Sequence, residues 1–467
     1  TPPGPRGREL PGHLVALANT DLYRYMSQGH EMTMMAVLLG MSAARRCTMH
    51  RAIAKMLCLH VPALHPPSFT ELELQVPALV QVAALLGIGL LYQGSAHRLM
   101  AEVLLGAIAR PPTNELLGCR ESYALSAGIA LGMLALGKGT DTGLADLHID
   151  DRLVTYMHGD GAAAATWHSG GGGGRAAPGR APRKGAPSAT QASVAGRCYR
   201  IREGPHVNLD VTAAGATLAL GLIYLKTNSA AAAARLRVPR SMYELNCVRP
   251  DLVLLRVLSR NLVLWDAIRP TQAWLDGQVV AIGSADDAAD HAADEMQTLR
   301  LARVNSISGA CLALGIRFAG SCSAAACELI RAKTLELSAL RAASAKAAVG
   351  LDAHDSGEPS RAEQPALETC VGTCAIALAC VLAGSGDLGC LRVLRVLRKR
   401  VDAEVSHGYH MAISMAIGLL FLGGGRLTLG TSNEAVAALI TAVFPKFPSS
   451  PTDNRYNLQA LRHLYVL

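Results

Sequence analysis

Residues 81–94 read Gln81-Val-Ala-Ala-Leu-Leu-Gly-Ile-Gly89-Leu-Leu-Tyr-Gln-Gly94, an uncharged stretch in which Gly89 lies between large aliphatic residues. Aliphatic residues that recur three and four positions apart predict a helix with a wide buried face. A glycine inside a helix costs about 1 kcal/mol relative to alanine. A glycine kept at that cost predicts that a second helix backbone passes close to this one.

The same pattern recurs in six further apolar segments. Superposing the segments gives one column that contains Gly40, Gly89, Gly132, Gly221, Gly315, Ala379 and Gly418. The positions one and three residues before this column are large and apolar in every segment. Five residues after the column the chain has glycine in five of the seven segments, which is typical of a helix that ends in a left-handed residue. The chain is therefore predicted to consist of repeats.

More polar helical segments separate the glycine-containing ones, for example Met49–Leu59, Arg98–Ala109, Leu388–Val401 and Asn433–Val443. Each repeat is thus predicted to be a helix pair, and the spacing is typical of helical solenoids. The predicted fold class is all-α, a superhelical or toroidal solenoid in which an outer ring shields the glycine-rich helices. A further apolar helix, Pro250–Ile268, fits either a degenerate repeat or an insertion.

The predicted domain organisation has four parts. Residues 1–28 form an irregular segment, residues 29–160 the first half of the repeats, and residues 205–467 the second half, with a disordered loop near 350–365. Between them, residues 161–204 form a basic, Gly/Ala-rich insert of low complexity. The insert has seven basic residues and one acid, so it supplies most of the net charge of +8. Such a run is usually solvated, and we therefore predict no nucleic-acid binding.

The bulk composition favours an intracellular helical protein. Half of the 467 residues are hydrophobic and 4% are aromatic, so close helix packing must build most of the core. None of the 12 cysteines forms a Cys-x-x-Cys pair, which is typical of a reducing compartment. The sequence shows no secretory signal, and its first residue, Thr1, is what we expect of a fragment.

Several motifs resemble catalytic or ligand sites but fit the repeat better. The stretch Gly132–Gly139 approaches a phosphate-binding loop, but glycine follows its lysine where a hydroxyl is needed. The stretch Gly384–Gly389 matches the dinucleotide fingerprint but follows a predicted helix, not a strand. Two further pairs, His407 with His410 and Cys322 with Cys327, lack a complete set of metal ligands. The sequence therefore predicts no enzyme, no cofactor and no metal site.

A membrane protein is the main alternative from the residues alone. Residues 75–97 and 369–386 contain no Asp, Glu, Lys or Arg, and each run is long enough for a membrane span. Equivalent repeats carry Arg45, Lys226 and Arg317, however, and interfacial aromatic belts are missing. A buried inner ring accounts for the same apolar runs.

The repeats resemble proteasome/cyclosome repeats, and other segments indicate which branch of that family is closest. These segments are similar to the largest subunit of the anaphase-promoting complex. They include the stretch quoted first, Arg120-Glu-Ser-Tyr123, Asn208-Leu-Asp-Val-Thr-Ala-Ala-Gly-Ala-Thr-Leu-Ala-Leu220, Leu255-Arg-Val-Leu-Ser-Arg-Asn-Leu-Val-Leu-Trp-Asp266 and Thr452-Asp-Asn-Arg-Tyr-Asn-Leu-Gln-Ala-Leu-Arg-His-Leu-Tyr-Val-Leu467. The resemblance runs from about His30 to the last residue, apart from the low-complexity segments.

The resemblance implies a non-catalytic scaffold in a ubiquitin ligase that acts at the metaphase/anaphase transition, in nucleus and cytoplasm. The implied partners are other subunits of the ligase and its substrate-recruiting coactivator, with no nucleic acid, membrane or small-molecule substrate. The alternatives are a non-ATPase scaffold of the proteasome regulatory particle and a polytopic membrane protein.

Polar residues at helix ends within the family-like motifs are the candidate protein-binding residues. They are Arg120, Glu121, Asn208, Asp210, Asn454 and Arg455. Helix capping is the alternative role for each of them. A basic helix with Arg392, Arg395, Arg398, Lys399 and Arg400 offers a second surface, which would either meet an acidic neighbour or be solvated.

Overall fold

The computed structural model describes residues 30–64, 76–111, 119–159, 208–282, 293–348, 363–400, 405–425, 429–450 and 453. Within these ranges the chain forms seventeen α-helices and no β-strand, which confirms the all-α prediction. The predicted N-terminal segment 1–28 and the insert 161–204 lie outside the described residues, as does most of the predicted loop near 350–365.

The helices are named here in chain order. They are α1 (Glu31–Ala44), α2 (Arg51–Leu59), α3 (Ala78–Leu91), α4 (Arg98–Ile108), α5 (Arg120–Leu134), α6 (Ile149–His158), α7 (Leu209–Ile223), α8 (Ala230–Arg235), α9 (Met242–Asn246), α10 (Pro250–Val263), α11 (Gln272–Asp276), α12 (Ala293–Arg317), α13 (Ala324–Ala348), α14 (Gln364–Val381), α15 (Leu388–Arg398), α16 (His407–Leu420) and α17 (Asn433–Ala442).

Two rows of helices make up most of the fold. The inner row consists of α1, α3, α5, α7, α10, α12, α14 and α16, and each of these helices packs against the next. The outer row consists of α2, α4, α6, α8, α11, α13 and α15, and each of these packs against the inner helix that follows it. The inner helices α3, α5 and α7 bury nearly all of their residues, whereas α15 buries only Cys390, Leu394 and Leu397. This difference explains why the inner segments are apolar and the outer ones amphipathic.

Neighbouring inner helices approach most closely at the glycine column. A Cβ atom placed on Gly89 would lie 2.6 Å from the Cα of Ala130, and one on Gly315 would lie 2.7 Å from the Cα of Ala377. Both alanines stand two residues before the column of the next helix. Distances this short leave no room for any side chain. Gly132 and Gly221 make equally close contacts, with Leu222 and Ser259 respectively.

The assignment of Gly40 to this column was wrong by two residues. Helices α3, α5, α7, α12, α14 and α16 all end two residues after the column, whereas α1 ends at Ala44, two residues after Ser42. A Cβ atom on Gly87 of α3 would lie 2.7 Å from the Ser42 Oγ, so Ser42 occupies the column. No atom lies within 4 Å of a Cβ atom on Gly40. Gly40 faces the side where a preceding repeat would pack, and the described residues supply no helix there.

Gly418 has the predicted register but not the predicted neighbour. Helix α16 ends at Leu420, and Gly423 has a left-handed φ of 60° at the expected place. A Cβ atom on Gly418 would nevertheless meet nothing within 4 Å. The reason is its position in the row, because the described part of the chain provides no inner helix after α16.

The turns that follow inner helices cap the next inner helix. Two residues in each turn, two positions apart, have φ between 51° and 74°, and their N–H groups donate to the carbonyl oxygens of the last two residues of that helix at 2.9–3.1 Å. The pairs are Cys47 and Met49, Gly94 and Ala96, Gly137 and Gly139, Lys226 and Asn228, Gly320 and Cys322, and Gly384 and Gly386. These bonds satisfy carbonyls that would otherwise lack a partner at a helix end.

The predicted left-handed glycines are therefore confirmed at Gly94, Gly137, Gly320 and Gly384. Lys226 adopts the same conformation without being glycine. Arg45 does not, since its φ is −121° and Cys47 fills the equivalent position. The two-residue shift that moves the column from Gly40 to Ser42 also accounts for this difference.

We expect the substitution Gly94→Ala to lower the free energy of unfolding by about 1 kcal/mol, because alanine is strained in the left-handed region. No atom lies within 4 Å of a Cβ atom on Gly94, so backbone strain is the only penalty. Gly106→Ala is the matched control. It also has open space, but it stands inside α4, where alanine should add up to about 1 kcal/mol. Urea unfolding of both variants measures the difference, and changes of the same sign would contradict the capping geometry.

Helix α10 is a degenerate repeat and not an insertion. The turn after α7 caps Leu262 and Val263 of α10, which places Asn261 in the column. The contact of Gly221 with Ser259, two residues earlier, follows the same rule. The Asn261 side chain is buried and donates to the Val257 carbonyl and the Gln278 Oε1.

Trp265, just after α10, contacts cations at the C-terminal ends of two other inner helices, α7 and α12. Its ring lies 4.9 Å from the Lys226 Nζ and 5.1 Å from the guanidinium carbon of Arg317. A cation on an aromatic ring is stabilised by the electrons of the ring. The indole therefore links the C-terminal ends of α7 and α12 at the irregular repeat.

Helix α17 was predicted to be an outer helix, and this was wrong. It packs against α5 and α12, which belong to different halves of the inner row. At its N-terminal end Lys226 donates a hydrogen bond to the Thr431 carbonyl, and beyond its C-terminal end Lys446 contacts Asp251 at the start of α10. Helix α17 therefore runs antiparallel to the inner helices, and the inner row curves around it. Its apolar residues face this interior.

One helix in the described ranges, Gln364–Val381, is long and apolar enough to cross a membrane. In the structure, 83% of that window is buried. This window is helix α14, which packs against α12, α13 and α16. Packing inside the protein therefore accounts for its apolar composition.

Candidate protein-interaction surfaces

Four of the candidate residues lie at the rim where the inner helices begin, called here the N-terminal rim. Arg120 and Glu121 are the first two residues of α5, and both are half-buried. Asn208 is the N-cap of α7, where its Oδ1 accepts a hydrogen bond from the Asp210 amide at 3.1 Å. Because Asn208 is only 6% exposed, the capping role describes it better than partner binding does.

Asp210 belongs to a charged network on this rim. Its Oδ1 lies 3.4 Å from Arg249, which also forms a bidentate pair with Asp251 at 2.6 and 3.0 Å. Lys446 joins from the segment after α17, with its Nζ 3.2 Å from the Asp251 Oδ2. Burial raises the pKa of Asp210, and the nearby Glu121 carboxylate adds to that rise, although Arg249 opposes it. The network therefore connects α7, α10 and the chain beyond α17.

The pKa of the Asp251 carboxyl is shifted in the opposite direction from that of Asp210. Burial would raise its pKa, but the positive charges of Lys446 and Arg249 outweigh burial and hold the pKa below its usual value of 3.8. The unfolded chain therefore binds more protons than the folded protein between the two pKa values. The stabilisation from Asp251 is fully present above the unfolded pKa and is lost as the pH falls through the folded one.

We accordingly expect Asp251→Asn to lower the free energy of unfolding at pH 7 by up to about 1 kcal/mol, the range of partly exposed ion pairs. Near pH 3 the loss should be smaller, because part of the wild-type carboxylate is then protonated as well. Urea unfolding at the two pH values measures this. A loss that stays the same at both would contradict the ionic role of Asp251.

The structure brings together only part of the predicted set. Glu121 lies close enough to Asp210 to shift the pKa of Asp210, so the motifs that begin at Arg120 and Asn208 lie on the same rim. Asn454 and Arg455 lie outside the described residues. Arg249, Asp251 and Lys446 were missed. Asp251 follows Pro250 in a first helical turn, where an acid is usual, and nothing in the sequence links it to Lys446, 195 residues away.

The glycine motifs that resemble nucleotide sites have another use. In Gly132–Gly139, the N–H groups of Gly137 and Gly139 donate to the carbonyls of Leu222 and Ile223. In Gly384–Gly389, those of Gly386 and Gly384 likewise donate to the end of α16. These amides are therefore occupied by helix capping and are not directed at a phosphate.

The paired histidines and thiols are equally explained by the fold. His407 opens α16, and the ring of His410 packs edge-on against Tyr409, with centroids 6.0 Å apart. The N–H of Cys322 caps Val381, while burial raises the pKa of the Cys327 thiol to about 11. Burial therefore disfavours the thiolate form of Cys327. Within the described ranges, no three His, Cys, Asp or Glu side chains are arranged to hold a metal ion.

The predicted basic helix is α15, on the outer row. Its buried residues pack toward the inner row, whereas Arg392, Arg395, Arg398 and Lys399 are exposed. The helix ends at Arg398, and Arg400 is half-buried. The basic residues therefore form a true surface of the fold.

These features define the class of the molecule: a curved, two-row helical repeat protein with charged surfaces at a rim and on its outer face. The family models agree. The model described as APC1 fifth domain matches residues 51–467, and the one described as APC1 fourth domain matches residues 9–46. The chain belongs to the family of anaphase-promoting complex subunit 1.

Relatives from distant organisms support this assignment. Anaphase-promoting complex subunit 1 of Homo sapiens is 44% identical over 98% of the chain, and that of Arabidopsis thaliana is 38% identical over 99%. A protein of Emericella nidulans named negative regulator of mitosis is 36% identical over 98%. The chain spans only 22%, 26% and 20% of the length of these three proteins. The assignment decides against the proteasome branch of the repeat family.

Proposed function

We propose that the chain is a non-catalytic scaffold region within the anaphase-promoting complex, where it holds other subunits of this ubiquitin ligase and the docking region of the substrate-recruiting coactivator. The observation that carries the proposal is the continuous inner row. Its close glycine contacts and its capped helix ends make a rigid frame, and rigid frames are suited to fixing the positions of partners.

The accessible chemistry of the chain supports binding rather than catalysis. The described polar groups at the N-terminal rim pair with one another, and the amides of the nucleotide-like motifs cap helices. Charged surfaces at a rim and on the outer row are features that steer and orient partner proteins. The proposed setting is the cell-cycle control of ubiquitination, in nucleus and cytoplasm, with no nucleic acid, membrane or small-molecule substrate.

Affinity purification of the tagged full chain from dividing cells tests the proposal. We expect recovery of other ligase subunits and of the coactivator. The matched control is Gly128→Leu, because a Cβ atom on Gly128 would lie 2.2 Å from the Gly215 carbonyl oxygen and would separate α5 from α7. This variant should recover less. Absence of ligase subunits with the wild-type chain would reject the proposed function.

A further inference from the structure

The outward face of α15 combines positive charge with exposed apolar side chains. Leu388, Arg392, Arg395, Val396 and Lys399 fall within an arc of about 100° on one side of the helix. Leu388 is 64% and Val396 is 68% exposed, the two largest values for big hydrophobic residues in the described chain. Leu388 and Val396 stand about two turns apart on the same side of the helix, with the cations between them, and exposed apolar side chains rimmed by polar ones are typical of a binding surface.

Among the described residues, the cations on this face have no acidic partner. Residues 388–400 contain five basic residues and no acid, and within the described ranges Arg392, Arg395, Arg398 and Lys399 form no ion pair. Three of their pairs are three or four positions apart, where like charges destabilise a helix. The last-turn cations gain something from the helix dipole, but Arg392 is too far from that end to share in it.

Two other outer helices, α4 and α13, neutralise cations with acids. On α4, Arg98 pairs with Glu102 at 3.0 Å and with Asp146. On α13, Lys333 pairs with Glu336 at 2.8 Å. Helix α15 differs from α4 and α13 in this respect, and it carries more exposed cations than α2, which has only Arg51 and Lys55.

The apolar part of the surface continues beyond α15. The exposed ring of Phe421, at the end of α16, lies beside Gly386, where a Cβ atom would be 3.3 Å from the ring. Gly386 is two residues before Leu388. The ring of Phe421 is therefore exposed near the N-terminal end of α15, where Leu388 is exposed as well.

We propose that this face of α15 docks an acidic segment of another protein subunit, in which Asp or Glu alternate with large apolar side chains. The proposal rests on the proposed scaffold function. The cations would pair with the acids, and Leu388 and Val396 would be covered by the apolar residues. A nucleic acid would satisfy the charges, but its phosphates would leave the two aliphatic side chains uncovered.

The first experiment identifies the occupant. A photoreactive amino acid is placed at Val396 of the full chain, the complex is cross-linked in cells, and the linked peptide is sequenced by mass spectrometry. The proposal requires a peptide of another protein with excess Asp and Glu and with large apolar residues. It is overturned by a link to nucleic acid, to another part of the same polypeptide or to a peptide without acidic excess, and also by the absence of any link.

The second experiment measures the chemistry of the contact. The synthetic form of the linked peptide is titrated against the full chain by fluorescence anisotropy. Reversing two charges, Arg392→Glu with Arg395→Glu, should weaken binding about tenfold or more, and added salt should weaken wild-type binding too. Val396→Ser should weaken it at least about threefold, since an aliphatic contact is lost.

The matched control is Arg51→Glu with Lys55→Glu on α2, which has the same change of charge and exposed positions but no exposed large apolar residue in the helix. It should leave the affinity unchanged. Equal losses in both double variants would overturn the proposal. Ligase subunits recovered without an α15 link reject this inference alone, whereas failure to recover them rejects the scaffold function.

Discussion

The substitution Gly89→Leu is expected to lower the free energy of unfolding by about 3 kcal/mol or more, at the upper end of overpacking effects. The reason is that even a Cβ atom at this position would lie 2.6 Å from a backbone atom, the Cα of Ala130. A flexible side chain can turn away, but the backbone of α5 cannot move without separating from α3. Urea unfolding followed by circular dichroism measures the loss.

A matched pair of alanine substitutions isolates the cause. Gly89→Ala should be destabilising, whereas Gly418→Ala, in the same column with nothing within 4 Å, should be stabilising by up to about 1 kcal/mol. Helix propensity is the same at both positions, so the opposite signs come from the neighbouring helix. If both alanines change stability alike, the glycines are not there for close packing.

The substitution Glu368→Ala is expected to have an effect of similar size, about 3–5 kcal/mol. The Glu368 Oε1 accepts from Arg341 at 2.5 Å, and both side chains are nearly fully buried. Its Oε2 accepts from the Ser406 amide at 3.2 Å, so the carboxylate joins α13 and α14 to the start of α16. Its removal breaks the ion pair of a buried guanidinium, and breaking a buried ion pair is strongly destabilising.

Two comparisons test this explanation. Arg341→Met combined with Glu368→Leu removes both charges, and we expect it to recover most of the lost stability. Glu328→Ala breaks the exposed pair with Arg331, which should change stability by less than about 1 kcal/mol. If the double substitution is as damaging as the single one, lost packing rather than an unpaired charge is responsible. Thermal unfolding of the four proteins gives the ranking.

The repeat, the helix pairs and the left-handed glycines were predictable because they depend on local rules. A glycine inside an apolar helix indicates close approach, and a glycine five residues later indicates the helix end. These rules worked at Gly89, Gly132 and Gly315, where each glycine has a neighbouring inner helix. They failed at Gly40, since the alignment favoured glycine over Ser42, and Cys47 and Met49 are not residue types that indicate a left-handed turn.

Contacts between distant parts of the chain were not predictable. Helix α17 follows an inner helix and is amphipathic enough to read as an outer one, and only the curvature of the row brings it to the centre. The pairing of Asp251 with Lys446 depends on that placement. At the N-terminal rim, sequence similarity pointed to Asp210 but not to Arg249, because arginines at helix starts are common and its partners Asp210 and Asp251 belong to two different helices.

The capped turns give the two edges of the molecule different freedom to change in length. Five connections from an inner to an outer helix are six residues long, at 45–50, 92–97, 224–229, 318–323 and 382–387, whereas the connection 135–148 is longer but places its two capping amides at the same distance from the helix end. Each of these connections places two backbone N–H groups against the C-terminal end of the next inner helix. An added residue before them would move these groups out of hydrogen-bonding distance. Within the described residues, the connections that return to the inner row donate no backbone N–H to the end of a neighbouring inner helix. We therefore expect insertions to be tolerated better in the connections that return to the inner row than in the capping turns at the opposite edge.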